Sequence, residues 1–513
     1  MGPVDLMQHM SMERQPDRLR RRAQTTYGLV ASRDNNEVSP CQQEADSQGG
    51  EAQIPRLPED IWCHIHSLMP MRSAARAACV SRAFLRSWRC HPNLTFSVKT
   101  LRSNKKEYEN DDIARVFCSK VDQILKRHSG VGVKKLNIQM LGGYNGYVDS
   151  WLQIAVRSGI EELSLSMPRR AKYNVPCSLF SNGSGDSIQY LYLTGCSFRP
   201  KTELGCLRSL TKLHLYYVSF TGDELGCLLS NSFALEGLGI RYCEGIGCLK
   251  VPCTLQRLRY LEVLGCWKLK IIESKAPNVS SFCYEGDHIQ LSLGETLQMK
   301  ELSLSFSGAV HCVCAELPSS MPNLKIATIY SRSEINTPLL HSKYLHLKNL
   351  NIILSTATFP PAYDYFSLVS FFDGCPCLET LVLFVSQLKM EHVSIFADPS
   401  DLRKMQGQQH HKMKTVEIIG FTSAKSLVEL TCHIVESVTS LECLTLRTHQ
   451  SSSRCSESAN ANKSNKCSPL PVHVLMEAQR ALLAIRTYIE PKVPSMVKLS
   501  VVETCRRCHA VEL

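Results

Sequence analysis

The sequence predicts an α/β protein in which three short N-terminal helices precede a long solenoid built on a parallel sheet. Two observations carry this prediction. Residues 58–88 have apolar side chains at helical spacing. Short strands of the form Leu-x-Leu then recur along most of the remaining chain, as they do in repeat proteins.

The first helix is predicted to begin at Pro58. Proline suits the first position of a helix because its missing N–H would have no partner there, and the next two residues are acidic, as the positive end of a helix dipole favours. Ile61, Ile65 and Leu68 follow at helical spacing and form an apolar stripe. Pro70 ends this first helix.

A second helix is predicted over residues 74–80 with Ser73 as its N-cap, and a third helix carries Phe84 and Trp88. Three short helices bury too little apolar surface to be stable alone, so they are expected to pack on the rest of the chain or on a partner. Periodicity alone is equally compatible with an ordinary helical hairpin that caps a larger domain.

This helical segment resembles an F-box. The resemblance lies in Leu-Pro-Glu-Asp at 57–60, in the positions of Ile65 and Leu68, and in Cys-Val-Ser-Arg at 79–82. It implies that residues 54–96 bind a Skp-type adaptor. The residues that it assigns to the adaptor face or its supporting core are Leu57, Pro58, Ile61, Ile65, Leu68, Cys79, Val80, Phe84 and Trp88.

Residues 1–53 form a polar segment that is predicted to be disordered. It contains the densest basic cluster, Arg-Leu-Arg-Arg-Arg at 18–22, which could be a nuclear targeting signal or a solvated tail. The formal net charge of the whole chain is +11, but the charge is diffuse. Because no basic stripe interleaved with aromatic residues follows, the sequence argues against binding of nucleic acid.

The chain is expected to act in the nucleus, the cytoplasm or both. It has no apolar run long enough to span a membrane and no apolar signal core near its start. Its 24 cysteines are therefore interpreted as reduced thiols rather than as disulfides.

A linker over residues 97–130 is predicted to hold a helix that Asp111 or Asp112 caps and that ends near Gly130. Repeats are predicted over 131–395, mostly spaced by about 20–29 residues, the period of leucine-rich repeats. Unrelated strands in a mixed domain would not recur at such a period. The strand cores begin at Leu136, Leu163, Leu191, Leu213, Leu238, Leu261, Leu302, Leu350, Leu381, Val416, Leu444 and Leu499.

Several strand cores end in a small turn and a cysteine. Examples are Leu-Tyr-Leu-Thr-Gly-Cys at 191–196 and Leu-Glu-Val-Leu-Gly-Cys at 261–266. In leucine-rich repeats an asparagine or cysteine at this place satisfies backbone groups at the bend. Cys196, Cys243 and Cys266 are therefore predicted to be structural.

Two polar segments, at 396–414 and 450–467, are predicted to be exposed, mobile loops. The region 415–513 is predicted to contain strands and helices in the order β-α-β-α-β. The helices are predicted over 426–438 and 475–489, and the last two strands over 441–446 and 497–502. This order, with Gly420-Phe421 followed by Ser-Leu-Val-Glu-Leu from Ser426, resembles the FBD-type region that follows the repeats in plant F-box proteins.

No catalytic, metal or cofactor site is predicted. Cys505, Cys508 and His509 match a haem-attachment pattern and half of a zinc site, but a haem site needs an exported domain and a zinc site needs a second ligand pair. His410 and His411 are interpreted as solvated loop residues. The sequence also lacks the phosphate-loop, nucleophile-elbow and His-Glu-x-x-His motifs.

The F-box resemblance implies a non-catalytic substrate receptor of a Skp-cullin-F-box ubiquitin ligase, with the repeats holding an unidentified target protein. The alternative is a repeat protein that binds a ligand or nucleic acid without a role in ubiquitin transfer. Solenoids bind partners beside their strands, and replacing such residues with alanine is expected to weaken capture without loss of stability. The sequence does not fix which side chains of the Tyr-Tyr pair face the core. The candidate substrate-binding residues are His214, Tyr216, Tyr217, Arg241 and Tyr242.

Overall fold

The computed structural model describes most of the chain beyond residue 57. The described residues are 58–80, 82–101, 110–128, 132–140, 146–169, 172–180, 183, 185–200, 207–294, 296–334, 337, 343–354, 363–385, 392–398, 401–405, 409–449 and 470–504. The predictions made for residues 1–53, Leu57, the loop 450–467 and Cys505–His509 fall outside them.

A parallel sheet holds fifteen strands within the described residues, in the order in which the chain forms them. Its strands are β1 (Asn93–Phe96), β2 (Lys135–Gln139), β3 (Glu162–Ser166), β5 (Tyr190–Thr194), β7 (Lys212–Tyr216), β8 (Gly237–Arg241), β10 (Tyr260–Leu264), β12 (Ser281–Glu285), β14 (Glu301–Ser305), β15 (Ile326–Ser331), β16 (Asn349–Leu354), β17 (Thr380–Val385), β18 (Thr415–Ile419), β19 (Cys443–Arg447) and β20 (Lys498–Val502). Two small parallel sheets accompany it, one of β4 (Asn174–Val175) and β6 (Ser197–Phe198), the other of β9 (Cys248–Val251), β11 (Ile271–Ser274) and β13 (Gln290–Ser292).

Helices precede the first strand and connect some of the later ones, whereas β8 to β14 follow one another without a helix between them in the described part of the chain. The helices are α1 (Glu59–Leu68), α2 (Met71–Ala78), α3 (Arg82–Arg89), α4 (Val98–Leu101), α5 (Asn110–Arg127), α6 (Val148–Arg157), α7 (Gly222–Ser230), α8 (Ala309–Ala315), α9 (Val369–Asp373), α10 (Lys425–Ser437) and α11 (Val472–Ala484). Short 3-10 turns lie at Cys177–Phe180, Tyr365–Leu368 and Glu490–Lys492, and a π-helical turn over Ile485–Ile489 extends α11. Among the described helices, none is long and apolar enough to cross a membrane.

The repeat register follows from the Leu-x-Leu pattern. Leu213 pairs with Leu238, and Leu238 pairs with Leu261, so equivalent leucines stack from strand to strand. These leucines are buried, and they join one hydrophobic core with the buried residues of the returning helices. Since successive strand residues face opposite sides, the intervening positions form a second face of the main sheet, which we call the strand face.

Local signals in the sequence place the returning helices. Helix α7 begins with a capping box, in which the Thr221 hydroxyl accepts a hydrogen bond from the Glu224 backbone N–H at 3.2 Å. The Glu224 carboxylate in turn accepts one from the Thr221 N–H at 2.7 Å. Without these bonds the two backbone N–H groups would have no partner at the start of the helix. The capping box therefore fixes where the helix begins.

The predicted strands are confirmed at every Leu-x-Leu core, but three strands of the main sheet and the five strands of the two small sheets were not predicted. In β1, β12 and β15 the two buried positions hold Leu-x-Phe, Phe-x-Tyr and Ala-x-Ile instead. Aromatic and small residues fill the same core as leucine, but they do not repeat the leucine pattern. The gap in the sequence between the cores at Leu302 and Leu350 is therefore occupied by β15.

The turn cysteines have the structural role that was predicted. The Cys243 thiol lies 3.4 Å from the Leu215 carbonyl oxygen and 3.4 Å from that of Arg241, and both carbonyls can accept its proton. The Cys266 thiol donates in the same way to Leu264 at 3.6 Å. Cys196 is buried at the same place, and burial raises the pKa of its thiol to about 12, so it stays protonated.

The β-α-β-α-β order of the C-terminal region is confirmed by β18, α10, β19, α11 and β20. The second helix begins at Val472, three residues before the predicted start. Pro471 is its N-cap in an extended conformation, which proline favours.

Most described residues of the segment 396–414 are exposed, as predicted, but specific contacts hold parts of the segment in place. His410 is buried, and its Nε2 lies 3.1 Å from the Asp373 carboxylate, so the interpretation of His410 as solvated is wrong. Arg403 donates two hydrogen bonds to the Asp364 carboxylate at 2.8 Å and bonds the buried Glu429 carboxylate at 2.6 Å. Polar composition did not reveal these contacts because their partners lie at least 26 residues away.

Replacing Arg403 with alanine is expected to lower the free energy of unfolding by about 1–3 kcal/mol, because the Glu429 carboxylate would stay buried without its charged partner. Urea unfolding of the purified chain measures this. Lys404→Ala is the matched control, since Lys404 is exposed and neighbours Arg403. Equal stability of the two variants would show that the Arg403 contacts contribute nothing.

Candidate protein-binding surfaces

The three predicted N-terminal helices are present as α1, α2 and α3. Helix α2 begins at Met71, so the predicted cap at Ser73 is wrong. Pro70 has the extended conformation of an N-cap, with φ −56° and ψ 137°, and its ring prevents α1 from continuing. The α2 helix is joined to the first strand of the sheet, where the Thr95 N–H donates to the Met71 sulfur at 3.1 Å.

The interior of the helical module is aromatic. The Phe84 ring packs edge-on against Trp62 at 5.1 Å between ring centroids, and it stacks on His66 at 4.8 Å. Trp88 packs on His91 at 5.7 Å. Phe84 and Trp88 thus hold the helices together. Trp62 and His66 were not among the predicted residues, although their spacing of four places them on one helix face.

The outer surface of the module exposes several apolar side chains alongside acidic and basic ones. Leu68 is 73% exposed and Val80 is 85% exposed, and Ile61 and Leu85 are exposed as well. We call these four residues the F-box face. Pro58 and Cys79 are also exposed, and Ile65 is half-buried. Apolar side chains gathered on a small helical module are typical of a protein-binding site.

Three histidines lie between the module and the first repeat. The His91 ring accepts a hydrogen bond from the Asn93 N–H at 3.2 Å and donates to the Met69 carbonyl oxygen at 3.4 Å. His128 donates to the His91 carbonyl oxygen at 3.1 Å, and His66 is buried beside them. Burial lowers the pKa of all three imidazoles. His91 must be neutral to accept the hydrogen bond from Asn93, because a protonated Nδ1 cannot act as an acceptor.

The helical module is expected to lose stability in acid, from about pH 6.5 downward. A histidine whose pKa is lowered in the folded state binds its proton more readily in the unfolded state, so its contribution is complete above the unfolded pKa and is lost as the pH falls. Thermal unfolding followed between pH 8 and pH 5 measures this. A His91→Gln variant should depend less on pH, whereas a variant at the exposed His346 should behave as the unmodified chain. Identical pH profiles for all three proteins would contradict it.

The strand face brings together all five candidate substrate-binding residues. Leu213 and Leu215 are buried, so His214 and Tyr216 lie on the opposite side of β7. Tyr216 pairs with Arg241 of β8. Tyr217 and Tyr242 follow directly at the ends of these two strands.

The three tyrosines contact one another, and we call Tyr216, Tyr217 and Tyr242 the tyrosine cluster. The rings of Tyr217 and Tyr242 stack with centroids 5.1 Å apart and planes 17° apart. Tyr216 lies 4.4 Å from Tyr217 and 5.6 Å from Tyr242. All three are partly exposed. Stacked rings with accessible faces form a surface that suits planar or cationic groups.

Tyr217 and Tyr242 have an unusual backbone conformation. Both have φ of +51°, the left-handed region that costs a non-glycine residue about 1–2 kcal/mol. The equivalent positions after β5 and β10 are glycines, Gly195 with φ of +67° and Gly265 with φ of +63°. The four successive strands β5, β7, β8 and β10 are therefore followed by the same backbone conformation, which glycine adopts without the cost.

Arg241 is held by an ion pair. Its guanidinium donates two hydrogen bonds of 2.9 Å to the Glu262 carboxylate, whose side chain is only 2% exposed. The sequence-based expectation that alanine at Arg241 leaves stability unchanged is therefore corrected, because the variant would leave a buried carboxylate unpaired.

His214 is neutral at physiological pH. Burial, and then the charges of Arg241 and Lys212, lower its pKa to about 4. Its ring lies over Gly239, where an added Cβ would be only 2.6 Å from the ring nitrogen Nδ1. His214 thus supplies a hydrogen-bonding group to the strand face but no charge. In the part of the chain that the structure describes, no group of three potential ligands is placed to hold a metal ion.

A three-helix module with an exposed apolar face, followed by a leucine-rich-repeat sheet, defines the class of F-box/LRR proteins. The F-box family model matches residues 54–95, and the model described as "At1g61320/AtMIF1, LRR domain" matches residues 124–506. The chain belongs to the plant F-box/LRR family, whose members are typically non-catalytic adaptors.

Curated relatives from Arabidopsis thaliana agree with this assignment. Putative F-box/LRR-repeat protein At5g38386 is 30% identical over 308 residues, which cover 58% of this chain and 73% of that protein. FBD-associated F-box protein At1g66310 is 23% identical over 67% of this chain and 80% of its own length. Putative FBD-associated F-box protein At1g61330 is 21% identical over 77% of this chain and 90% of its own length. The last two names fit the FBD-like C-terminal region.

Proposed function

We propose that this chain is a substrate-receptor subunit of a Skp-cullin-F-box ubiquitin ligase. The F-box face binds a Skp-type adaptor and, through it, the cullin, while the strand face holds a target protein. The observation that carries the proposal is the exposure of Leu68 and Val80 on a module whose aromatic residues are packed inside. An F-box module with this face open is ready to bind an adaptor.

In this role the chain positions the target protein, and other subunits catalyse the transfer of ubiquitin. Holding the target beside the ubiquitin-loaded enzyme raises the effective concentration of its lysines, which accelerates transfer without any catalytic group on the receptor. The strand face is suited to such holding because tyrosine and arginine are the residues that most often dominate protein interfaces.

The experiment that tests this role is affinity capture of the full chain from plant cells with the proteasome blocked. We expect the adaptor, the cullin and a third protein that accumulates under the block. That third protein should become ubiquitinated when it is added to the purified ligase, and omission of the chain should prevent this. Capture without adaptor and cullin, or capture of RNA in place of a protein target, would contradict the proposal and favour the alternative repeat-protein function.

A further inference from the structure

The tyrosine cluster already holds a guanidinium. Arg169, which follows β3, lies over the Tyr217 ring with 3.3 Å between its guanidinium carbon and the ring centroid. The stretch from Met167 to Arg169 lies against Gly195, directly after β5, where an added Cβ would collide with the Met167 carbonyl oxygen. Arg169 is exposed, so this guanidinium is exchangeable with solvent and with other ligands.

A similar arrangement recurs farther along the sheet. The Arg332 guanidinium carbon lies 5.7 Å from the centroid of the Trp267 ring, and the same guanidinium lies 3.7 Å from the Glu285 carboxylate. Trp267 is partly exposed and Glu285 is buried. The carboxyl ends of β7 to β12 thus provide aromatic faces and a carboxylate in series, a surface that is complementary to guanidinium groups.

The fold does not require the two strained tyrosines. Gly195 and Gly265 occupy the equivalent positions in the flanking repeats, so the tyrosines replace the residue that suits this backbone best. The Tyr242 ring also lies so close over Gly265 that a side chain there would displace it. Residues kept in a strained conformation without a structural need are typical of binding sites.

We propose that the tyrosine cluster binds an arginine side chain of the target protein, and that Arg169 occupies this site in the free chain as an internal competitor. The inference rests on the proposed receptor function. An arriving arginine stacks on Tyr217 in place of Arg169, and Tyr242 extends the stacking surface. Arginine fits better than lysine because its planar group stacks on aromatic rings, whereas the strongly hydrated ammonium of lysine does not. The Glu285 carboxylate lies on the Tyr242 side, where it raises the pKa of Tyr242 in addition to the larger effect of burial.

The test uses the full chain bound to its adaptor and three acetylated pentapeptides, Ala-Ala-X-Ala-Ala-amide, in which X is arginine, lysine or the neutral isostere citrulline. Ligand-observed NMR measures their binding. Removing the internal competitor with Arg169→Ala should tighten binding of the arginine peptide roughly fivefold. Arg257→Ala removes an exposed arginine in the turn before β10 and should leave the affinity unchanged. The lysine and citrulline peptides should bind more weakly than the arginine peptide to the wild-type chain and to these two variants.

A second substitution separates the site from a general charge effect. Adding Tyr217→Gly to Arg169→Ala should abolish binding of the arginine peptide, while the backbone keeps the conformation that Gly195 and Gly265 already adopt. If that variant does not fold, Tyr242→Gly tests the same surface. Equal affinity of the three peptides, or equal affinity of the wild-type chain and Arg169→Ala, would overturn the inference. Binding of a phosphoserine peptide that depends on Arg169 would also overturn it. Adaptor capture, measured in the same samples, reports separately on the proposed function.

Discussion

A chain that carries both Leu68→Asp and Val80→Asp is expected to lose the Skp-type adaptor while its repeats stay folded. Both side chains are largely exposed in the free chain, at 73% and 85%, so the substitutions remove little internal packing. In the complex, each carboxylate would be buried against apolar groups without a partner, at a cost of several kcal/mol. Because about 1.4 kcal/mol changes an affinity tenfold, the double variant should bind below detection.

Adaptor pull-down with purified components measures this result, and thermal unfolding reports on the fold. Val116→Asp is the matched control, since Val116 is an exposed apolar residue on α5, outside the F-box face. Ile65 and Phe84 are poorer targets. Ile65 is half-buried, and Phe84 packs between Trp62 and His66, so a charge there would unfold the module itself. Capture of the adaptor at wild-type strength by the double variant would show that the F-box face is not the adaptor site.

The strands of the repeats could be predicted because they depend on local pattern, whereas the sequence did not fix which side chains of the Tyr216-Tyr217 pair face the core. Leucines two apart must share a face of a strand, and equivalent leucines must stack for a parallel sheet to bury them. The pattern failed where other side chains fill the same core positions, as Phe282 and Tyr284 do in β12. A search for leucine therefore misses strands in which other apolar side chains fill the same space in the core.

The candidate sites were predictable in position but not in their internal contacts. The sequence placed Tyr217 and Tyr242 beside the strands, but it gave no sign of their left-handed backbone, which becomes visible only when Gly195 and Gly265 are aligned with them in space. Similarly, the contact of Arg403 with Glu429 joins segments that periodicity treats as unrelated. A contact between two single side chains that lie far apart in the sequence leaves no periodic signal from which it could be predicted.

Replacing Arg241 with alanine is expected to lower the free energy of unfolding by about 2–3 kcal/mol. Removing one partner of a buried ion pair costs about 3–5 kcal/mol, and the partial exposure of Arg241 reduces this because water can reach its guanidinium. Glu262 would remain with its side chain 98% buried and both carboxylate oxygens deprived of their 2.9 Å donors. Urea unfolding of the full chain measures the change.

The double variant Arg241→Gln with Glu262→Gln distinguishes the ion pair from lost packing. It keeps similar volumes and leaves no buried charge, so it should recover most of the stability that Arg241→Ala loses. If the double variant is as unstable as Arg241→Ala, packing of the arginine stem is the larger contribution. If Arg241→Ala is as stable as the wild-type chain, Glu262 regains water in the folded state. Loss of target capture in Arg241→Ala reports on recognition only when stability is unchanged, so Tyr217→Gly, which keeps a backbone suited to its position, is the sharper probe of the strand face.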